Sequence, residues 1–305
     1  MFKRTILTGA LLAFVAGCTG NSASTPITPP SVPLTVQHLY VANNSNNGQI
    51  VQYSLPLSAS SVPNFGFTAS GTVTLALDPS GDVIAGDPAG NLHFFPAPLS
   101  AASSATAAFA HPGNSTGAVA FTQAGDFFVS SLTNRAYEFT HPFSNASVPS
   151  AIATAPTLVG ASGVAVDSAS NLYVANAAGA AGTNLYVFAA PYTGAPTAIS
   201  PLIASKQYAG LALSATQLFV VNSSATNSID VYNLPITAAS APVFSITNGI
   251  PILPSSLAFD SAGNLYLGSF TQITEYSPPF SAASTPVLSL PVPATFEVSG
   301  IAIGT

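Results

Sequence analysis

One local pattern recurs along nearly the whole of this 305-residue chain, and it restricts the fold more than any other feature. The pattern reads apolar, Ala, apolar, Asp, followed by a tight turn and a run such as Leu-Tyr-Val, with its clearest copies at 164–176 and 257–267. The alanine recurs every 44 to 47 residues, at Ala76, Ala120, Ala165, Ala212, Ala258 and Ala302. A repeat of this length built from short apolar runs is typical of a β-propeller with one four-stranded blade per repeat.

The order of strands within a blade follows from the residues that each strand carries. The alanine strand is apolar on both faces, which indicates an innermost strand, and its alanines suit a crowded position near the axis. The turn after it begins with Asp78, Asp167 or Asp260, whose side chains can accept backbone N–H groups. The fourth strand begins with proline, as at Pro63 and Pro149, and proline is tolerated on an unpaired outer edge. The third strand ends in an aromatic residue that we interpret as core between blades: Tyr53, Phe95, Phe139, Phe188, Tyr232 and Tyr276.

The repeats also predict how the ring closes. Five complete repeats run from about 72 to 294, while 36–71 supplies strands two to four of a further blade and 299–305 supplies only an inner strand. We therefore predict an all-β, six-bladed propeller over 36–305, with four-stranded antiparallel blades and a ring closed by the N- and C-terminal strands.

The N-terminus predicts export. A basic start and a short apolar run make 1–17 a signal peptide, and its end at Val15-Ala16-Gly17-Cys18 resembles the bacterial lipobox. Cys18 is the only cysteine, so it is the expected lipidation site (palmitate included) and disulfides are excluded, with an ordinary signal peptide as the alternative. Residues 18–35 form a Ser/Thr/Pro-rich tether that, if extended at ~3.1 Å per residue, spans up to ~50 Å. Thr19 favours the outer membrane or cell surface over the inner membrane, by the same resemblance.

Charge excludes one class of partner. Only 5% of the residues are charged, and after the signal peptide Arg135 and Lys206 stand against ten acidic residues, a net charge of −8. Nothing in such a chain can neutralise a phosphate backbone, so we expect no nucleic-acid partner. We expect a monomer that contacts a lipid bilayer through acylated Cys18.

Two phrases connect the repeats to a known family. Residues 163–176 (Gly-Val-Ala-Val-Asp-Ser-Ala-Ser-Asn-Leu-Tyr-Val-Ala-Asn) and 257–266 (Leu-Ala-Phe-Asp-Ser-Ala-Gly-Asn-Leu-Tyr) resemble NHL-repeat propellers. The resemblance covers 36–305 and implies the fold. Its functional implication is broad, since that family includes protein and RNA binders, lyases and lactonases.

Few residues suggest chemistry. Most carboxylates occupy repeated turn or strand positions, and only Asp87 and Glu297 fall outside the pattern. The histidines lack metal-ligand spacing, no Gly-x-Ser-x-Gly elbow occurs, and we expect no cofactor, metal or catalytic residue. His111, in a connection between blades, is the best single candidate for a site residue, with an exposed loop histidine as the alternative.

The candidate ligand-binding residues are Asn43, Asp87, His111, Asn176 and Asn222. The three asparagines follow the second strand in three blades, on the face where propeller ligands usually bind. Their neutral hydrogen bonds would make affinity nearly independent of salt. The alternative is that these asparagines only form turns.

Three functions remain open on sequence alone. The first is a lipid-anchored binding or scaffold module for a peptide, protein or glycan, because the ring is rigid and poor in reactive groups. The second is an NHL-like lyase or lactonase, which requires His111, Asp87 or Glu297 to converge at the channel mouth with a metal. The third is a structural envelope protein.

Overall fold

The computed structural model describes the propeller and does not describe residues 1–35. The described residues are 36–45, 48–113, 115–177, 185–192, 196, 198–199, 206–224, 226–293 and 295–305. The predicted signal peptide (1–17), Cys18 and the tether lie outside them. Within the described ranges the chain forms 24 strands and no helix, and the strands make six four-stranded antiparallel sheets.

Each sheet is one blade, whose strands follow one another from the inner to the outer edge. The first three blades are blade 1, β24 (Val298–Gly304), β1 (His38–Asn43), β2 (Gln49–Ser54) and β3 (Phe65–Thr68); blade 2, β4 (Thr74–Leu77), β5 (Val83–Gly86), β6 (Asn91–Phe95) and β7 (Ala107–Ala110); and blade 3, β8 (Thr116–Phe121), β9 (Phe127–Ser131), β10 (Arg135–Phe139) and β11 (Ala151–Thr154). The others are blade 4, β12 (Ala161–Val166), β13 (Leu172–Asn176), β14 (Leu185–Phe188) and β15 (Ala198–Ile199); blade 5, β16 (Tyr208–Leu213), β17 (Gln217–Asn222), β18 (Ser228–Asn233) and β19 (Phe244–Ile246); and blade 6, β20 (Pro254–Phe259), β21 (Leu265–Ser269), β22 (Gln272–Tyr276) and β23 (Leu288–Pro291).

The C-terminal strand closes the ring, as the sequence predicts. β24 pairs antiparallel with β1, so that Ile301 lies opposite Val41 and Ala302 lies opposite Tyr40. The two strands are more than 250 residues apart in sequence, and together they complete blade 1 from both ends of the propeller. The six-bladed prediction is confirmed.

The apolar core consists of six clusters, one between each pair of neighbouring blades. The cluster between blades 2 and 3, for example, packs Ile84 and Phe109 against Phe127 and Phe139. The aromatic residue that ends each third strand is almost fully buried in one of these clusters, which confirms its interpretation as core: Tyr53, Phe95, Phe139, Phe188, Tyr232 and Tyr276. Each blade is therefore held mainly by contacts with its neighbours.

The predicted aspartate turns form. Asp260 Oδ1 accepts the N–H of Asn264 at 2.7 Å, and Oδ2 accepts its amide Nδ2 at 2.9 Å, while Gly263 adopts φ 84°. Asp78 and Asp167 make the same Oδ1 bonds to the backbone. The aspartate thus satisfies the N–H groups that the turn leaves unpaired.

The outer-edge prolines precede the fourth strands and do not begin them. β3 begins two residues after Pro63, because proline has no N–H and the first ladder bond comes from the next residue, Asn64 N to Gln52 O at 2.7 Å. Ser150 and Val287 donate in the same way after Pro149 and Pro286. The peptide bond before each proline that follows a third strand is cis: Pro56, Pro98, Pro142, Pro191, Pro235 and Pro279.

Candidate functional site

A cavity of about 620 Å³ opens where the inner strands begin. Its wall consists of the first residues of the inner strands, which are mostly glycine, serine and aliphatic residues, such as Gly163, Gly210, Ser255 and Leu257. Loops at the ends of the second strands and the connections between blades add the rim. A volume of this size suits a small molecule or a few residues of a peptide.

Glycine allows the inner strands to approach one another closely. A Cβ atom added at Gly163 would lie 1.9 Å from the carbonyl oxygen of Ala209, and one added at Gly210 would lie 2.6 Å from that of Ser255. The repeated alanines pack elsewhere: Ala76 and Ala212 belong to clusters between blades. The alanines lie in the inner strands as predicted, and their crowding near the axis stays a prediction; the close contacts shown here fall on glycines that precede them in the same strands.

Several hydroxyl groups near the cavity are occupied by bonds between blades. Ser162 Oγ donates to the carbonyl oxygen of Tyr208 in the next blade at 2.6 Å, and Ser130 Oγ donates to that of Ser162 at 2.6 Å. Ser299 Oγ donates to the carbonyl oxygen of Thr72 at 3.2 Å. These serines join neighbouring blades and leave less hydrogen-bonding capacity for a ligand than their number suggests.

Three large apolar side chains stay exposed at the cavity mouth, and we call Leu132, Leu253 and Phe270 the apolar rim. Their exposed fractions are 49%, 60% and 40%. Leu132 follows the second strand of blade 3, whereas Phe270 follows that of blade 6, so these two stand three blades apart in the ring. Leu253 also has φ 51°, a left-handed conformation that is rare for leucine. Exposed apolar groups and a strained backbone at one cavity mouth are features of binding sites.

The three predicted asparagines are buried beside this rim and are bonded to the backbone. Asn176 Oδ1 accepts the N–H groups of Val159 and Gly160, and Asn222 Oδ1 accepts those of Gln207 and Ser224. Asn43 Oδ1 accepts the N–H groups of Ser45 at 3.0 Å and Glu297 at 2.9 Å. Their amides hold connections between blades, and none of the three asparagines is among the residues that line the cavity. Ligand contact by them stays a prediction.

Asp87 occupies a turn of the same kind as Asp260. Its Oδ1 accepts the N–H groups of Ala89 and Asn91, and Gly90 has φ 87°. The spacing Asp-x-x-Gly-Asn occurs both at 87–91 and at 260–264. The sequence alone therefore could have predicted that Asp87 forms the same kind of turn as Asp260. Its Oδ2 lies 3.8 Å from His93 Nε2.

His111 is buried rather than exposed. Its Nδ1 accepts the N–H of Gly113 at 3.1 Å, so the ring proton is assigned to Nε2, which lies 3.1 Å from Thr116 Oγ1. Burial lowers the pKa of His111, although the nearby charge of Asp87 acts in the opposite direction. The imidazole therefore shapes the connection between blades 2 and 3 as a neutral group.

Glu297 is the one sequence candidate that lines the cavity. Asp87 and His111 lie at blade 2 and its connection, whereas Glu297 precedes the closing strand, so the structure does not gather the three at the cavity wall. In the described ranges, no cluster of three or more His, Cys, Asp or Glu residues could hold a metal ion.

A buried polar network around Asp230 in blade 5 was not predicted from the sequence. Asp230 is fully buried in blade 5 and pairs with Lys206, and it accepts hydrogen bonds from Tyr208 at 2.8 Å and Ser245 at 2.6 Å. Tyr208 also bonds to Tyr232 at 2.6 Å, and burial raises the pKa of Tyr208. Asp230 occupies what the repeat indicates is an ordinary strand position. Its partners Lys206, Tyr208 and Ser245 lie outside β18, and the repeat pattern does not align them with it.

Comparisons with known proteins agree with the fold and add no activity. No protein-family model matches the chain, and no curated protein matches it. The chain resembles a solved protein of unknown function from Bacteroides caccae, with 13% identity, a TM-score of 0.66, and coverage of 88% of this chain and 99% of that one. It also resembles a functionally unknown protein from Desulfotomaculum acetoxidans DSM 771, with 12% identity, a TM-score of 0.61 and coverage of 87% and 89%.

The chain is therefore a six-bladed β-propeller with a cavity lined by the inner strands of its blades. Across the described ranges, no helix has the length and apolar character to cross a membrane.

Proposed function

We propose that this protein is an exported, lipid-anchored binding module that holds a peptide, or an exposed segment of another protein, at the axial cavity. The observation that carries the proposal is the apolar rim around a cavity of about 620 Å³. Leucine and phenylalanine side chains exposed at a concave site favour an apolar partner, at ~25 cal/mol per Å² of surface removed from water.

The polar groups at the mouth favour a peptide over a glycan. A neutral hydrogen bond contributes ~0.5–1.5 kcal/mol net, so a sugar needs several free donors and acceptors at once. The side-chain amides of Asn43, Asn176 and Asn222 are already bonded to backbone groups, and Ser162 and Ser299 bond across blades. A peptide needs fewer of these groups, because its apolar side chains can pack on the rim.

The enzyme alternative has less support. An NHL-like lyase or lactonase would need His111, Asp87 or Glu297 to converge at the channel mouth with a metal, but Asp87 holds a turn and His111 Nδ1 accepts the N–H of Gly113. Glu297 alone lines the cavity. The third hypothesis, a structural envelope protein, would gain support if no ligand is found.

The membrane part of the proposal rests on the sequence. Cys18 follows an apolar signal segment, and residues 18–35 provide a tether that can hold the propeller away from a bilayer. Several acyl chains on one cysteine anchor a protein stably, whereas a single chain does so only marginally. We propose the outer membrane or cell surface as its location.

Two experiments test these parts separately. Metabolic palmitate labelling of the full chain should disappear in Cys18→Ser, and labelling that persists would contradict the anchor. The mature protein should bind apolar peptides on an array that carries peptides and glycans side by side. Binding to glycans alone would replace the peptide proposal, and binding to neither would favour the structural hypothesis.

A further inference from the structure

The carboxylate of Glu297 has no charged neighbour among the described residues that line the cavity. Both backbone groups of this residue are fixed: its N–H donates to Asn43 Oδ1 at 2.9 Å, and its carbonyl oxygen accepts the N–H of Asn44 at 3.0 Å. These bonds hold the start of the side chain at the cavity wall. Among the described residues, the carboxylate itself has no hydrogen bond or ion pair.

Within the described ranges, no lysine or arginine pairs with this carboxylate. After the signal peptide the only lysine and arginine are Lys206 and Arg135. Lys206 pairs with the buried Asp230, and Arg135 is exposed at the start of β10. Of the described residues that line the cavity, Glu297 is the only one with an acidic or basic side chain.

A single unpaired carboxylate on a mainly apolar wall selects ligands by charge. Low-dielectric walls strengthen its field, which attracts a cation and repels an anion. The apolar rim meanwhile favours a ligand with an apolar body. Neither feature alone specifies a ligand class, but one molecule with an apolar body and a positive group satisfies both.

We infer that the cavity binds an organic ammonium ligand whose apolar body packs on Leu253 and Phe270 while its positive group pairs with Glu297. These three residues lie on one side of the mouth, because the Phe270 carbonyl oxygen accepts the N–H of Val298, the residue after Glu297, and the Phe270 N–H donates to Leu253. The inference rests on the proposed binding function and narrows its ligand class. A peptide amino terminus and a free amine share this chemistry. An ammonium ligand also changes the expected effect of salt. Binding should weaken as salt rises, and not stay nearly constant, because one charge pair contributes to affinity.

The test uses three small probes that share a phenyl body and differ in charge. The probes 2-phenylethylammonium, 2-phenylethanol and 3-phenylpropionate are titrated into the full mature protein at low and high salt. We expect the ammonium to bind about fivefold more tightly than the alcohol, which corresponds to an ion pair of about 1 kcal/mol, and the carboxylate to bind most weakly. The preference should shrink at high salt.

Matched variants assign the preference to Glu297. In Glu297→Gln the ammonium-to-alcohol ratio should fall to about one, because the ion pair is gone while the two backbone bonds remain. Glu138→Gln changes the net charge equally but lies outside the cavity lining, so it should keep the preference. A peptide amino terminus and a free amine are distinguished with the C-terminal amide of Phe-Leu-Ala, titrated with its amino terminus either free or acetylated. If the ligand is a peptide, the form with the free amino terminus should bind more tightly than 2-phenylethylammonium.

The outcomes distinguish the two proposals. Equal binding of the ammonium and the alcohol, or a preference that survives in Glu297→Gln, would overturn the ammonium inference and leave the binding proposal standing. Failure of all three probes and of apolar peptides to bind would overturn both.

Discussion

The backbone N–H of Glu297 donates to the side-chain oxygen of Asn43 at 2.9 Å, which joins two residues 254 positions apart. Asn43 ends the first strand of the propeller, and Glu297 directly precedes the last one. The bond therefore lies at the closure of the ring and at the cavity wall at once. Glu297 therefore takes part both in the closure of the ring and in the cavity wall.

Removal of the last seven residues should open the ring. The deletion takes away most of β24, which pairs with β1 and whose Ile301 is buried between blades 6 and 1. We expect a large fall in melting temperature or loss of soluble protein, measured by calorimetry and by the soluble fraction. Unchanged melting of the truncated protein would contradict the closure.

Gly163→Ala should destabilise the protein through the contact between inner strands. The new Cβ would lie 1.9 Å from the Ala209 carbonyl oxygen, and overpacking of this kind costs ~1–3 kcal/mol or more. Gly125→Ala is the control, because no heavy atom lies within 4 Å of its Cβ and only the positive φ of 89° opposes the change, at ~1–2 kcal/mol. Denaturant unfolding should rank Gly163→Ala as the more harmful, and equal losses would argue against close backbone packing at the axis.

Asn176→Ala should reduce stability even without a ligand. The buried amide oxygen accepts two N–H groups of the connection at 159–160, and leaving them unpaired costs about 1–3 kcal/mol. Asn134→Ala, at an exposed loop position, should change the free energy of unfolding much less. If the two variants unfold alike, Asn176 does not hold the connection as described.

His111 should make the protein less stable as the solution becomes acidic. Burial lowers its pKa in the folded state, so below its ordinary pKa near 6.5 the unfolded chain binds more protons than the folded one. The free energy of unfolding therefore falls as pH drops through this range. Burial raises the pKa of Glu138 and Glu275, which acts in the opposite sense at lower pH.

The contribution of His111 is isolated by comparison with a variant. The difference in unfolding free energy between the natural protein and His111→Gln should shrink from pH 7.5 to pH 5, because glutamine does not titrate. A difference that stays constant over this range would mean that the imidazole ionises equally in both states.

Regular features of the fold were predictable because each blade repeats them. The aromatic at the end of each third strand, the aspartate turns and the unmatched strand at 299–305 follow from residue type and spacing alone. The need for glycine at position 163 was not predictable. It depends on how closely this strand approaches another strand about 46 residues away in sequence. Local spacing carries no information on that distance.

The site was harder to predict for a related reason. An asparagine amide can bind a ligand or a loop, and the choice at Asn176 depends on where the N–H groups of Val159 and Gly160 lie. Glu297 was recognisable as an exception to the repeat, but its position on the cavity wall depends on its bonds to Asn43 and Asn44. The apolar rim has no common motif, since its residues come from separate loops.

The most direct test of the binding account is a titration of the tightest apolar peptide from the array against rim variants. The double variant Leu132→Ser/Phe270→Ser should weaken binding by about tenfold or more, because both side chains lose contact with the ligand. Val62→Ser/Val148→Ser removes two exposed valines near the outer strands, away from the cavity, and should leave the Kd unchanged. Equal Kd values for the natural protein and the rim variant would contradict a binding site at the axial cavity.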